Sequence, residues 1–515
     1  MAKMLTGMLN GTLKAGTSGT LAAGVVAVMI GDASADGHLH VVATDPFGPQ
    51  AGWALETDDA FILTRAGCLE TLTRRDADGS LQPGLAEAWT RHSPTEWDFK
   101  IRSGVTFQDG TALTAEIVGD ALNKLLTATA PPRPFSPKRI AGVTVVDEST
   151  VRITTPNPSV LTPMRVAAPN TGILSPAAYE EEMIDPVGHC TGPFEITEHV
   201  AQQALKLKRS DTYWGEKAIL EGGELRFIPE GSGRATQLKS GEAQISLRLP
   251  ISEVLSLQSA SGIEVQTIEQ TRTTGLYLNN KKAPFDNEKV RLAVQSAIDT
   301  STIAATIYEG AARPAVGPFG PGDLWAPADA EVVPFDKEKA LAHLKEAGVD
   351  PASIKVTLNA YVERAELPDL AAVIQAQLGD IGIGVELKVA NYSAIEPDLL
   401  SGDYDMFVLS RGYLSDVADP IGFLTADYSC DGGYNLSHFC DPAIDEKIDA
   451  ASAVEDDAER YALYKDIAAE LHARAVTVFV VHQQRSDAHA ANVKNYRVHP
   501  DGHYLFTSDL DIADQ

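Results

Sequence analysis

Cysteine is scarce in this chain: Cys68, Cys190, Cys430 and Cys440 are the only four in 515 residues, and no Cys-x-x-Cys occurs. That argues against a zinc module of the usual spacing. Long apolar runs are scarce as well. One covers residues 21–30, too short to span a bilayer comfortably, and nothing comparable follows it. Positive charge is thin, with 42 Lys and Arg against 71 Asp and Glu and a formal net charge of −29. Such a surface repels phosphate backbones, so nucleic acid is not an expected partner. Also missing are the phosphate loop Gly-x-x-x-x-Gly-Lys-Ser/Thr, the dinucleotide fingerprint Gly-x-Gly-x-x-Gly, His-Glu-x-x-His, and a Gly-x-Ser-x-Gly nucleophile elbow. No cofactor and no catalysis are therefore expected.

What remains is an ordinary globular composition, 44% hydrophobic and 22% charged, long enough for about three domains. The first 35 residues stand apart. Lys3 and Lys14 precede the apolar run, and Ala33-Ser34-Ala35 supplies small residues for cleavage, the pattern of a secretory signal peptide. No Cys lies at that cut, so a lipid anchor is not expected and a periplasmic location is. A cut after Ala35 leaves Asp36-Gly37-His38, whose amine, two amides and His38 imidazole can wrap Cu(II) or Ni(II) in a square plane. Export also permits disulfides. Cys430 and Cys440 flank a short turn-rich segment and are expected to pair. For Cys68 and Cys190 the sequence leaves a bridge and two buried thiols equally open.

Strand-like and helix-like segments alternate without a repeat, an α/β pattern with more than one sheet. Strands are predicted at 38–44, 97–101, 143–145, 151–154 and 384–389. The almost fully apolar 476–481 reads as a buried central strand. Helices are predicted from Thr114, over 288–298 and 367–378, and near 456–474. Arg291 and Asp299 are expected on one helix face. Asp109-Gly110 marks a tight turn, and the Pro-rich 130–137 reads as an exposed connection.

Several segments occur together in a telling order. Leu85-Ala86-Glu87-Ala88-Trp89 precedes Trp97-Asp98-Phe99-Lys100-Ile101-Arg102-Ser103-Gly104-Val105-Thr106-Phe107-Gln108-Asp109-Gly110. Thr191-Gly192-Pro193-Phe194, Asp211-Thr212-Tyr213-Trp214-Gly215, Tyr277-Leu278-Asn279, Pro284-Phe285-Asp286, Gly402-Asp403-Tyr404-Asp405 and Asp419-Pro420 follow. This series resembles the extracellular solute-binding proteins of the oligopeptide, dipeptide and nickel class (family 5), which serve ATP-binding-cassette (ABC) importers. The resemblance implies a periplasmic-binding-protein-like fold of two lobes with a hinge. It divides the chain into a signal peptide (1–35), a first lobe (36–79, 181–275, returning at 483–515), an extra subdomain (80–180) and a second lobe (276–482). The crossings are expected near 272–279 and 482–487.

The implied function is capture of a small peptide by a monomer and its delivery to a membrane permease. Binding of a nickel or other metal chelate is the alternative within the class, and an exported hydrolase the alternative outside it. The family's amine-anchoring pattern, Gly-aromatic, two residues, Asp, three residues, Pro, falls on Gly412-Tyr413-Leu414-Ser415-Asp416-Val417-Ala418-Asp419-Pro420. The resemblance thus assigns Asp416 to a ligand ammonium, with Tyr413 beside it and Asp419 shaping the turn. Arg411 either offsets Asp416 or meets a ligand carboxylate. Trp53, Tyr434, Asn435, His482 and Arg485 complete the expected ligand site on their chemistry and their nearness to the crossings. His438 is expected to be a loop histidine.

Overall fold

The computed structural model describes residues 37–44, 60–76, 80–128, 131–180, 184–364, 366–414, 417 and 419–513. Its organising feature is a pair of long antiparallel strands, Ile263–Leu278 and Thr477–Ala490. On one side of the pair the sheet continues through Met406–Gly412, Lys355–Tyr361 and Gly384–Ala390. On the other it continues through Ile245–Ser246, His38–Ala43, Gly222–Phe227, Ala204–Arg209 and Phe194–Val200. Each half has its own apolar core. One gathers Leu276, Leu358, Phe407 and Val480 under helices Glu288–Ala297 and Glu366–Asp380. The other gathers Leu39, Val41, Leu205 and Leu225. A separate four-stranded antiparallel sheet, Ala86–Ser93, Glu96–Ile101, Thr150–Thr154 and Gly142–Asp147, carries helix Ala115–Thr127 across its face.

Local chemistry explains these elements. Thr114 caps its helix by accepting the Ile117 N–H at 3.2 Å, and Asp456 caps Asp457–Ala473 through the Glu459 N–H at 2.9 Å. Gly192 admits no side chain, because a Cβ there would lie 2.2 Å from the Gly67 carbonyl oxygen. Two disulfides form. Cys430–Cys440 pairs as expected, and Cys68–Cys190 decides the open question in favour of a bridge. Closing 122 residues of chain, the second contributes about 5 kcal/mol in the chain-entropy picture, against about 3 kcal/mol for the 10-residue loop.

Three expectations need correction. The Pro-rich segment is not an exposed connection: Phe135 is fully buried in the four-stranded sheet's core, and the Pro134 carbonyl accepts a bond from Arg165. Arg291 and Asp299 do not share a helix. Arg291 donates to the Phe285 and Arg474 carbonyls from Glu288–Ala297, whereas Asp299 caps the next helix, Thr300–Thr306. The strand expected at 476–481 runs on to Ala490. Among the described residues no helix is long and apolar enough to cross a membrane.

Candidate functional site

The two long strands do not pair continuously. Glu269 faces Gln484 and Thr273 faces His482, so residues 270–272 bulge from the ladder at the junction of the two halves. A bulge re-aims the side chains it carries. Charged and aromatic groups gather here from both halves.

Arg411, near the end of its strand, donates through Nε and Nη2 to the two carboxylate oxygens of Asp427, each at 2.9 Å. Asp427 is fully buried on helix Ile421–Tyr428, and the pair is the bidentate geometry a guanidinium favours. Tyr434 lies over the Arg411 guanidinium, 4.9 Å from ring centroid to Cζ, and its hydroxyl bonds that of Tyr392. Tyr392 in turn meets Tyr361 edge-on at 5.3 Å. Tyr413 is buried, and its hydroxyl donates to Asp323 and accepts the Gly320 N–H at 3.3 Å. Burial pushes the Asp323 carboxyl up to about 6 despite the Tyr413 bond.

From the other half come Arg75 and Asp501, paired at 2.6 Å, with Thr271 donating to the second Asp501 oxygen at 3.0 Å. His499, Asp501 and His503 bring their ligating atoms within 4.8 Å of one another, the spacing of a metal site. Their bonds fit a cation poorly. Both Asp501 oxygens are engaged, and His499 accepts the Asp501 N–H at 3.1 Å while its other nitrogen meets the Arg75 carbonyl at 3.1 Å. Burial also holds His503 down to about 3, beside the positive charges of Arg65 and Arg75.

The expected residues are distributed unevenly around this junction. Arg411, Tyr413 and Tyr434 are there. Asn435 is turned inward, donating to the Ser429 and Phe439 carbonyls and so pinning the Cys430–Cys440 loop. His482 is fully buried with both ring nitrogens engaged, one at 2.9 Å from Thr273 Oγ1 and one accepting the Val316 N–H at 3.2 Å. Arg485 is closed on Asp487 at 2.9 and 2.7 Å. Asp419 takes the Ile421 N–H and also bonds Tyr464 and Arg460 in a buried cluster. His438 sits in a loop with its Nε2 2.8 Å from the Leu399 carbonyl. Asp416 and Trp53 lie outside the described residues, as does the expected cut after Ala35, whereas His38 opens the first strand. Sequence reasoning missed Arg272, Asp323, Asp427 and the Arg75–Asp501 pair. Only Arg272 left a trace, as a lone cation in the β-branched run Thr271–Thr274 at an expected crossing.

A cavity of about 580 Å³ lies on the side of His38–Ala43, lined by Glu70, Arg74, Tyr213, His499 and Tyr504 among others. Glu70 accepts the Trp214 indole N–H at 2.8 Å and the Tyr213 hydroxyl at 3.3 Å. Burial raises its carboxyl to about 7.

Residues 80–435 match the model of the bacterial extracellular solute-binding proteins, family 5. The chain belongs to that family. The family 5 proteins are non-catalytic solute-binding components of ABC importers, and this chain is one of them. Among its relatives is the di/tripeptide-binding protein 2 of Pseudomonas aeruginosa, 28% identical over 81% of this chain and 84% of that protein. The nickel-binding protein NikA of Staphylococcus aureus is 25% identical over 87% and 89%. A crystal structure of a nickel ABC transporter protein from Bacillus halodurans superposes with a TM-score of 0.79, at 29% identity, over 92% of this chain and all of that one. The family's two-lobe α/β fold is therefore the fold of this chain.

Proposed function

We propose that this family 5 protein captures small peptides between its lobes in the periplasm and presents them to a membrane permease. The observation that carries this reading is the junction itself. Segments from both halves converge on a polar, aromatic-lined floor at the bulge, and residues 411–420, which bear the amine-anchor pattern, begin there. Ligand contacts made by both lobes exist only when the lobes are closed, so ligand shifts the population toward the closed state. The boundaries of 36–79, 80–180, 181–275, 276–482 and 483–515 serve this reading, since they place the bulge where the chain passes between lobes. The pattern of residues 1–35 supports the periplasmic location.

A metal chelate is the second reading, favoured by the nickel proteins among the relatives. In that case the junction would grip the organic part of the chelate, because His482 and His499 have no ring nitrogen to spare.

Thermal shift of the purified protein separates the readings, because a ligand bound only by the folded form raises Tm. Di- and tripeptides are expected to raise it, and their N-acetylated forms to raise it less. Asp416→Asn should remove that difference. A shift with a nickel–histidine chelate and none with peptides would overturn the peptide reading, and cleavage of the peptides would overturn the non-catalytic one.

A further inference from the structure

Arg272 sits in the bulge at 270–272, opposite Gly412 and one residue from Thr273, the partner of Arg411. Its Nη1 donates to the Ser410 carbonyl at 2.7 Å. Its Nε and Nη2, the edge that binds a carboxylate bidentately, meet no acceptor among the described residues, and neither atom is sealed from solvent.

Other arginines of this molecule show how different that is. Arg411 and Arg485 close the same edge on Asp427 and Asp487. Arg460 closes it on Asp419 and Asp457. Arg234, also buried, satisfies it with the Leu247 and Arg248 carbonyls. Arg272 has neither kind of partner. Its charged neighbours are themselves cations: Arg364 and Arg411 from one half and Arg248 from the other, with burial holding its guanidinium down to about 9. Arg411 is neutralised by Asp427, and Arg364 has Glu366 at 3.9 Å. A positive site is thus left open where the two halves meet, in a protein whose net charge is −29.

We propose that Arg272 is the anion anchor of the ligand site, taking a carboxylate of the captured solute on its Nε–Nη2 edge. The ligand class is accordingly a solute with a free carboxylate, whether a peptide or a carboxylate chelate of a metal. This deepens the function proposed above and rests on its placing the solute at the junction. The bulge supplies the means: Arg272 keeps its pairing with Gly412 but has no partner on Thr477–Ala490, and a bulge re-aims the side chains it carries.

The test is calorimetric titration of the full-length wild type, Arg272→Gln and Arg272→Lys. The probes are di- and tripeptides, the same peptides as C-terminal amides, and a nickel–histidine chelate. Binding of a free-acid ligand is expected to weaken on the order of 10- to 100-fold in Arg272→Gln. Arg272→Lys, which keeps the charge without the fork, should lose less, and the amides should bind wild type as weakly as the acids bind Arg272→Gln. Binding of the chelate alone, with the same dependence on Arg272, sustains the anchor while overturning the peptide reading. Equal binding of acids and amides by wild type overturns the anchor and leaves peptide capture standing. Unchanged binding by Arg272→Gln also overturns the anchor, and so does a wild type that binds none of the carboxylate probes. Unfolding transitions of the three proteins separate lost binding from lost folding.

Discussion

Arg411 and Arg272 occupy neighbouring, hydrogen-bonded strands at the same junction, yet they are in opposite states. Arg411 is closed on a fully buried carboxylate and roofed by Tyr434, whereas the fork of Arg272 is open. Their own two strands pair in register through both residues, and the bulge lies only on the side of Arg272 that faces Thr477–Ala490. What differs is whether another element delivers an acid. Helix Ile421–Tyr428 brings Asp427 to Arg411, and nothing described brings one to Arg272. The first arginine is thereby a fastener of the fold and the second a group held ready for something that arrives from outside.

Breaking the filled pair should have the largest effect. Asp427→Asn leaves Arg411 buried without its counter-charge and is expected to cost about 3–5 kcal/mol in denaturant unfolding. Replacing both partners by apolar residues of similar size should recover most of that loss. If Asp427→Asn unfolds at the wild-type midpoint, Arg411 is no fastener.

A pH titration sharpens the contrast at intermediate scale. Asp323 titrates near 6 in the folded chain against an ordinary 3.8, so the folded state holds the extra proton between those values. Its contribution to stability is present below about 4 and is lost as pH rises through about 6. Asp501, beside Arg75, is held down to about 2, so its contribution is lost only as pH falls from about 4 through about 2. Unfolding free energy measured across pH 4–7 should fall, and Asp323→Asn should flatten the part of that fall between about 4 and 6, leaving the part that Glu70 contributes up to about 7. The smallest effect is expected at the open site: without ligand, Arg272→Gln should stay within about 1 kcal/mol of wild type, because only one carbonyl bond is given up. A loss as large as that of Asp427→Asn would make the two arginines alike.

The contrast also explains what the sequence could reveal. The strand Glu96–Ile101, the helix opened by Thr114 and the apolar opening of Thr477–Ala490 were legible because periodicity and caps are local. The second half of that last strand, His482–Ala490, lay beyond the strand expected at 476–481 because polar residues interrupt its apolar run, yet it is largely buried. Its polar groups find partners across the sheet or within the strand: His482 with Thr273, Arg485 with Asp487, His489 with Gln266. At the junction, Arg411 and Tyr413 were legible as part of a short motif. Their partners Asp427 and Asp323 lie 16 and 90 residues away, where no spacing rule operates. Pro134 and Phe135 misled for the same reason, being buried by a core that only the assembled subdomain creates.

The position of Thr477–Ala490 also governs the order of events during synthesis. This strand lies between Ile263–Leu278 and Ile245–Ser246, so the two halves of the sheet are not joined until residue 490 has emerged. A nascent chain holding the first 476 residues can pair Ile263–Leu278 with Met406–Gly412, and Ile245–Ser246 with His38–Ala43, but has no strand to join the two sets. Its closing contacts span more than 400 residues, as between Arg75 and Asp501, and contacts of such separation form slowly. The joining of the whole sheet is therefore one of the last events in the making of this chain.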